Sequence, residues 1–580
     1  MHQGTPEALL AAIAQSGNEM MQGWMRLMAS GLPPGSSAQP SAPSWLLELQ
    51  RNAARVGTIQ SAYYEKQTQL WSALLAGRQE PVAQAQHADR RFAAQAWREN
   101  PYYDYLRQSY LLASRYVEDL VEAAELPAAA KERTRFAARQ WLDAMSPANF
   151  AATNPEAMLK ALQSSGESIT RGLGNLMADA QRGRISQTDE AAFEVGRNLA
   201  TTAGEVVYEN ELIQLIQYAP ATPEVAARPL VMVPPCINKY YILDLQPESS
   251  LVAYAVAKGQ TVFMLSWRNV GPELGQLTWD DYLEKGVFAA LLAAKEIMKS
   301  DRVNALGFCV GGTLLGAALA VLAAKKEEDL VASATFLAAM HDFRDTGQIG
   351  LFIDEASVAA REATLGKGGI LSGAELAFVF SSLRANDLVW PYVVNNYLMG
   401  GRPAAFDLLY WNSDSTNLPG PMYCWYLRNT YLENKLRIPG AVVNCGVPVD
   451  LSQVRMPVFI LATREDHIVP WRSAYRTLSL VGGERTFVLG ASGHVAGVVN
   501  PPGKNRRSYW ADGGSPTDFP EDPQAWLERA QEHPGSWWPA WTEWLWSQAG
   551  GTRKAPTASG NVQHRPIEPA PGRYVKQRIH

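Results

Sequence analysis

Only four of the 580 residues are cysteine, Cys236, Cys309, Cys424 and Cys445, and no two stand at a C-x-x-C spacing or beside histidines arranged as zinc ligands. A disulfide framework and a metal centre are therefore not expected. Each thiol is left as either a small buried hydrophobe, the commoner role, or a nucleophile. A charge excess is missing as well: 52 basic residues face 57 acidic ones, a formal net charge of -5. Nothing in that balance attracts nucleic acid, and an anionic ligand has to meet a local basic patch. Long apolar runs are also missing. The longest, Gly311 to Ala324, is too short to span a bilayer and ends at Lys325 and Lys326. Met1 to Ser16 has no basic start, apolar centre or small-residue cleavage site, so export is not expected. These absences predict a cytoplasmic protein without a transmembrane segment. What the chain does have is 47% hydrophobic residues, enough for a large core in about two to four domains.

Hydropathy patterning divides the chain. From Pro6 to about Gly196 apolar residues recur at helical spacing, as in Tyr110, Leu111, Val117, Leu120 and Val121, which predicts an all-helical N-terminal domain over residues 1–195. Near its start Leu9, Leu10, Ile13, Met20, Met21, Trp24, Leu27 and Met28 form an apolar stripe before the Pro/Ser/Gly linker Gly31 to Pro43. Such a stripe suits docking on a partner or an apolar surface, although packing within the helical domain is its commoner fate.

Residues 196–580 read differently. Glu205 to Glu209 and Leu212 to Tyr218 look like a strand pair. Short apolar runs follow at Leu230 to Val233, Val262 to Trp267, Val303 to Phe308, Ala334 to Ala338 and Val458 to Ala462, separated by helical stretches such as Trp279 to Met298. That alternation predicts an α/β domain with a doubly wound, mostly parallel sheet. Between about residues 326 and 455 the pattern gives way to irregular, aromatic-rich sequence from Trp390 to Tyr431, read as an inserted cap able to wall an apolar pocket. The Pro-rich, basic stretch 551–580 is expected to be an extended tail.

The strongest chemical motif is Gly307-Phe308-Cys309-Val310-Gly311, set between an apolar strand and a small-residue helix. It is a nucleophile elbow with cysteine in place of serine, as found in the α/β-hydrolase fold. Glycines flank the nucleophile because its backbone is strained and the neighbouring chains approach closely. That fold needs an acid and then a histidine later in the chain, each in a loop at the carboxyl end of a strand. Asp466 in Arg464-Glu465-Asp466-His467 and His494 in Ser492-Gly493-His494 meet both conditions. Of the other histidines, His2, His564 and His580 lie in terminal stretches, His87 in the helical region and His533 in a polar stretch. His341, at the start of the cap, reads as structural. His467, beside the proposed acid, fits a place at the pocket mouth or on the surface. The oxyanion hole is expected from the N–H groups of Val310 and Ile237, the latter in the Pro234-Pro235-Cys236-Ile237-Asn238-Lys239 turn. Cys236 reads as a buried hydrophobe.

Together these segments make the chain resemble the polyhydroxyalkanoate synthases, class I in particular. The likeness is carried by Ser146 to Phe150, Pro234 to Leu245, Gly307 to Gly312, Leu408 to Pro421, Arg464 to Trp471, Gly490 to Pro502 and Pro569 to Val575. Residues up to about Gln86 match least. The resemblance implies polymerisation of (R)-3-hydroxyacyl-CoA with release of coenzyme A, which is substrate and not cofactor; no cofactor is expected. It further implies a homodimer, residence on cytoplasmic polyester granules, contact with granule-associated proteins, and a helical region that assists granule association and dimerisation. Arg384 and His467 match positions near the coenzyme A entrance. Ala339-Met340-His341 is more polar than expected there, which concerns local cap packing. A thioesterase or polyester hydrolase uses the same triad and is the alternative; a structural granule protein with a dead hydrolase core is a third reading, disfavoured by the complete triad.

Overall fold

In the computed structural model, the described residues are 51–77, 81–84, 89–512 and 518–579. The apolar stripe from Leu9 to Met28 and the linker that follows it lie outside them, as do His2, His87 and His580.

The chain divides into two compact units. The first joins Met1–Asp189 to Ala377–Phe406. Its helices include α1 (Ala53–Leu75), α2 (Pro101–Ala123), α3 (Ala128–Ala144), α4 (Pro155–Gln163) and α5 (Glu167–Arg182). Two of them start alike: Asn100 and Asn154 accept hydrogen bonds from the first-turn N–H groups of α2 and α4, with Pro101 and Pro155 at the first helical position. Such caps are worth about 1 kcal/mol each, and proline there has no N–H to leave unpaired. Apolar side chains at helical spacing then pack into small cores, one around Ala123 and Ala124 and another around Phe92, Trp97 and Ala148.

Part of the expected cap belongs to this unit. Trp390, Val393 and Tyr397 bury themselves with Leu176 of α5, and the Tyr397 hydroxyl donates to Asp179 at 2.7 Å. At Gly172 a Cβ would stand 1.9 Å from the Tyr397 carbonyl oxygen, so only glycine allows that approach. The two compact units divide after Asp189, and the segment 326–455 contributes to both of them. An aromatic-rich pattern says that a segment is buried, not what it is buried against.

The second unit, Glu190–Leu376 with Asp407–His580, is built on an eleven-stranded sheet. Its strands are β1 (Gly204–Glu209), β2 (Ile213–Tyr218), β3 (Leu230–Val233), β4 (Val262–Trp267), β5 (Val303–Phe308), β6 (Val331–Leu337), β7 (Val458–Thr463), β8 (Arg485–Gly490), β9 (Ser508–Ala511), β10 (Gln531–Pro534) and β11 (Glu568–Pro569). They lie in the order β10-β9-β8-β7-β6-β5-β3-β4-β2-β1-β11. From β8 across to β4 all neighbours are parallel, and both flanks are antiparallel. Strands β3 to β7 are buried along their whole length, the reason they read as unbroken apolar runs. The helical stretch Trp279 to Met298 is continuous, but Tyr282–Phe288 is wound as π turns.

The final stretch is extended, yet it is an integral part of this unit. Thr552–Lys554 pairs with Glu224–Ala226, β11 extends the sheet beside β1, and Tyr574 and Val575 are buried. A two- or three-residue strand has too little periodicity to be seen in a sequence.

Candidate active site

Strand β5 ends at Phe308, and the next residue, Cys309, with φ of +54° and ψ of -128°, forms the sharp turn into helix α6 (Val310–Ala324). The flanking glycines are required by close approach. A Cβ at Gly311 would lie 2.3 Å from the Val233 carbonyl oxygen, and one at Gly307 would lie 2.5 Å from the Gly312 Cα. The Cys309 N–H donates to Leu337 of β6 at 2.9 Å, and its carbonyl accepts from Gly312 at 2.9 Å. The strained residue is thus held by both neighbours. Cys309 is partly exposed, whereas Cys236 and Cys424 are buried. Burial pushes the Cys236 thiol up, and Cys424 up to about 11. Burial, with Asp280 and Glu284 nearby, takes half-exposed Cys445 up to about 12.

Asp466 lies in the turn after β7 and His494 opens the short helix after β8. His494 Nδ1 is 2.7 Å from Asp466 Oδ2, and the carboxylate side chain has no exposed surface. Thr463 donates its hydroxyl to the same Oδ2 at 3.0 Å, while Oδ1 accepts the Ile468 and Val469 N–H groups at 2.9 and 2.8 Å. Burial alone would raise this carboxyl. The His494 charge and these hydrogen bonds overcome that and hold it below its usual range. Burial likewise works to lower His494, but the Asp466 carboxylate, then Cys309, lift it well above the ordinary histidine value. With Nδ1 taken by Asp466, the nitrogen left to meet the Cys309 thiol is Nε2. Phe308 stacks on the ring, with centroids 5.4 Å apart and planes at 23°, fixing the imidazole from its face.

The three residues chosen from sequence are therefore together at the carboxyl edge of the sheet. Val310 opens α6, where the first N–H groups have no partner within the helix. The Ile237 carbonyl accepts from the Thr416 N–H at 2.7 Å, which settles one end of that peptide turn. His467 is half-buried next to Asp466. Arg384 is exposed and ion-paired with Asp387 at 2.6 Å in the helical unit.

His341 is structural: its Nε2 lies 3.1 Å from the Gly312 carbonyl and its Nδ1 3.2 Å from the Thr477 hydroxyl. Burial pushes it down to about 4, so it is neutral and tethers the first turn of α6. The Thr313 hydroxyl adds a bond to the Met340 carbonyl at 2.9 Å. The two ties of the imidazole account for a polar side chain at His341.

Two aromatics were not singled out by sequence reasoning. Tyr426 and Tyr431 meet edge to face, with centroids 5.5 Å apart. Burial chiefly raises both phenols, and the charge of Cys309 adds to each. They were visible only as members of an aromatic-rich stretch.

This elbow, acid and histidine on a parallel sheet define an enzyme of the α/β-hydrolase fold, and a family model described as "alpha/beta hydrolase fold" matches residues 229–501. A second, described as "Poly-beta-hydroxybutyrate polymerase (PhaC) N-terminus", matches residues 88–255. The chain is 55% identical over 530 residues to a poly(3-hydroxyalkanoate) polymerase subunit PhaC of Cupriavidus necator, covering 90% of this chain and 89% of that protein. It is 40% identical to a poly(3-hydroxyalkanoate) polymerase of Methylorubrum extorquens, covering 98% and 97%, and 38% identical to one of Rhizobium meliloti, covering 99% and 95%. The chain belongs to the poly(3-hydroxyalkanoate) polymerase family.

Proposed function

We propose that this enzyme polymerises (R)-3-hydroxyacyl-CoA into polyhydroxyalkanoate through a thioester on Cys309. The observation that carries the reading is a cysteine at a hydrolase elbow, linked through His494 to Asp466, in a chain of this family. His494 Nε2 accepts the Cys309 proton, and the thiolate sulfur attacks the substrate carbonyl. The N–H groups of Val310 and Ile237 stabilise the oxyanion. The bond to the coenzyme A sulfur breaks, and the leaving thiolate takes the proton from His494. Next, His494 accepts the proton of an incoming monomer's 3-hydroxyl, whose oxygen attacks acyl-Cys309. The lengthened chain, now a coenzyme A thioester, reloads Cys309 and expels coenzyme A. Because a thioester keeps the acyl group activated, ester formation runs downhill, an advantage a serine ester lacks.

Water competes for the same acyl-enzyme, so products separate polymerase from thioesterase. With (R)-3-hydroxybutyryl-CoA, free coenzyme A should appear together with turbidity from insoluble polyester and little free acid. Stoichiometric 3-hydroxybutyrate without precipitate overturns the polymerase reading and leaves the triad standing. Arg384 and His467 are proposed to meet coenzyme A.

A place at the surface of cytoplasmic polyester granules, as a homodimer, belongs to the same proposal. Among the described residues no helix is long and apolar enough to cross a membrane. In the helical unit Trp71 and Leu75, one turn apart on α1, are exposed, as are Trp141, Leu159, Leu162 and Met177. Replacing Trp71 and Leu75 by serine should lower co-sedimentation with polyester granules several-fold; unchanged co-sedimentation removes that face from the proposal.

A further inference from the structure

The turn that offers Ile237 is gripped from two sides. On one side lies the segment after residue 410. Thr416 donates its N–H to the Ile237 carbonyl, Asn238 bridges to Ser415, and Trp411 Nε1 donates to the Lys239 carbonyl at 2.7 Å. On the other lies the last part of the chain. Lys239 is 2% exposed, and its ammonium donates to the Gln577 carbonyl at 2.7 Å. The next residue, Arg578, stacks over Tyr410 with its guanidinium 4.5 Å from the ring centroid. It also pairs with Glu190 at 3.2 Å and reaches Asp414 at 3.9 Å. Asp414, also buried, accepts from the Tyr241 hydroxyl at 2.9 Å.

The stretch that delivers Gln577 and Arg578 is itself anchored. Val575 is buried, the Tyr574 N–H donates to the Gln214 side chain at 3.1 Å, and the Tyr574 hydroxyl donates to the Asn210 carbonyl at 2.8 Å. A residue some 338 positions away in sequence is thus brought to the base of the proposed oxyanion loop.

We propose that Tyr574–Ile579 is a strap that sets the position of the Pro234–Lys239 loop, with Lys239 and Arg578 as positioning residues for the oxyanion hole. The inference rests on the assignment of Ile237 and Val310 above. An ammonium in a dry interior is costly unless hydrogen-bonded. Here burial lowers Lys239 to about 8 against the pull of Asp414, so a lost carbonyl partner drives the side chain toward water. Ile237 is two residues away. Its N–H has to point at a developing oxyanion, where a displacement of about 1 Å is enough to cost on the order of a hundredfold. Ion pairs in such a place add little stability, but they fix geometry.

The test compares two reactions of the same thiol. Acylation by (R)-3-hydroxybutyryl-CoA passes through an oxyanion; alkylation by iodoacetamide displaces iodide from a saturated carbon and does not. A chain lacking residues 577–580 should acylate Cys309 about 10- to 100-fold more slowly in a single turnover. Its alkylation rate should stay within about twofold of the full chain, because thiol and base are untouched. Arg578→Ala at full length, which leaves the Gln577 carbonyl in place, should show a smaller loss of the same kind and serves if the shortened chain does not fold. Acylation at the full rate in both variants overturns the strap. Parallel loss of acylation and alkylation also overturns it, since the damage then reaches the triad. A full chain that alkylates at Cys309 but is never acylated there overturns the functional reading as well.

Discussion

Cys309→Ala should lose turnover of 3-hydroxyacyl-CoA by on the order of 10⁴-fold or more, because no other group can carry the acyl chain. The remaining cysteines are poor substitutes for stated reasons. Cys236 and Cys424 are buried with their thiols pushed up, and Cys445 sits at the tip of the Val443–Pro448 hairpin with its thiol pushed up to about 12. Cys424→Ala and Cys445→Ala should therefore keep most of the chemistry. Steady-state release of coenzyme A and mass spectrometry of the acylated protein measure both halves. Acyl transfer that survives in Cys309→Ala removes the nucleophile assignment.

His494→Gln and Asp466→Asn should differ in which step they damage. His494 touches the nucleophile, so its loss should slow acylation about a hundredfold or more, and chain growth with it. Of the two roles open to Asp466, orienting His494 or helping to deprotonate the incoming hydroxyl, the first is expected, because its two oxygens already accept from the Thr463 hydroxyl, two backbone N–H groups and the imidazole. None is left for a substrate hydroxyl. Removing its charge leaves burial unopposed by its largest counterweight, so the His494 titration should move down and the base weaken. A weak base still suffices for a thiol, which is acidic and nucleophilic on its own. It does not suffice for an alcohol, whose proton is held far more tightly. Asp466→Asn is accordingly expected to acylate within about tenfold of the native rate, yet to elongate more slowly by about a hundredfold or more. Rapid-quench acylation and elongation of a preloaded enzyme give the two rates. Equal loss in both steps contradicts this division.

The central sheet was legible because its strands are buried on both faces. Leu230–Val233, Val262–Trp267 and Val303–Phe308 were located to the residue, each an apolar run bounded by turn residues. β9, β10 and β11 were not seen: Ser508–Ala511 and Gln531–Pro534 are at most half-buried, and Glu568–Pro569 is two residues long. The elbow was legible for a local reason, since Gly307 and Gly311 answer contacts within a few residues and with β3. Asp466 and His494 followed from the strand ends that precede them.

By itself, the order of residues determined what the strands, the elbow and the helical caps are, because each depends on neighbours a few positions apart. It also determined which cysteine stands at the strand-to-helix elbow. Only the tertiary structure decided that Ala377–Phe406 packs with the helical unit, that Phe308 stacks on His494, that Tyr426 meets Tyr431 edge to face, and that the Gln577 carbonyl meets the Lys239 ammonium. Those contacts join residues whose patterns are individually unremarkable. An apolar or polar side chain carries in sequence its demand for burial or a partner, and the identity of the partner is settled only when distant segments close on one another.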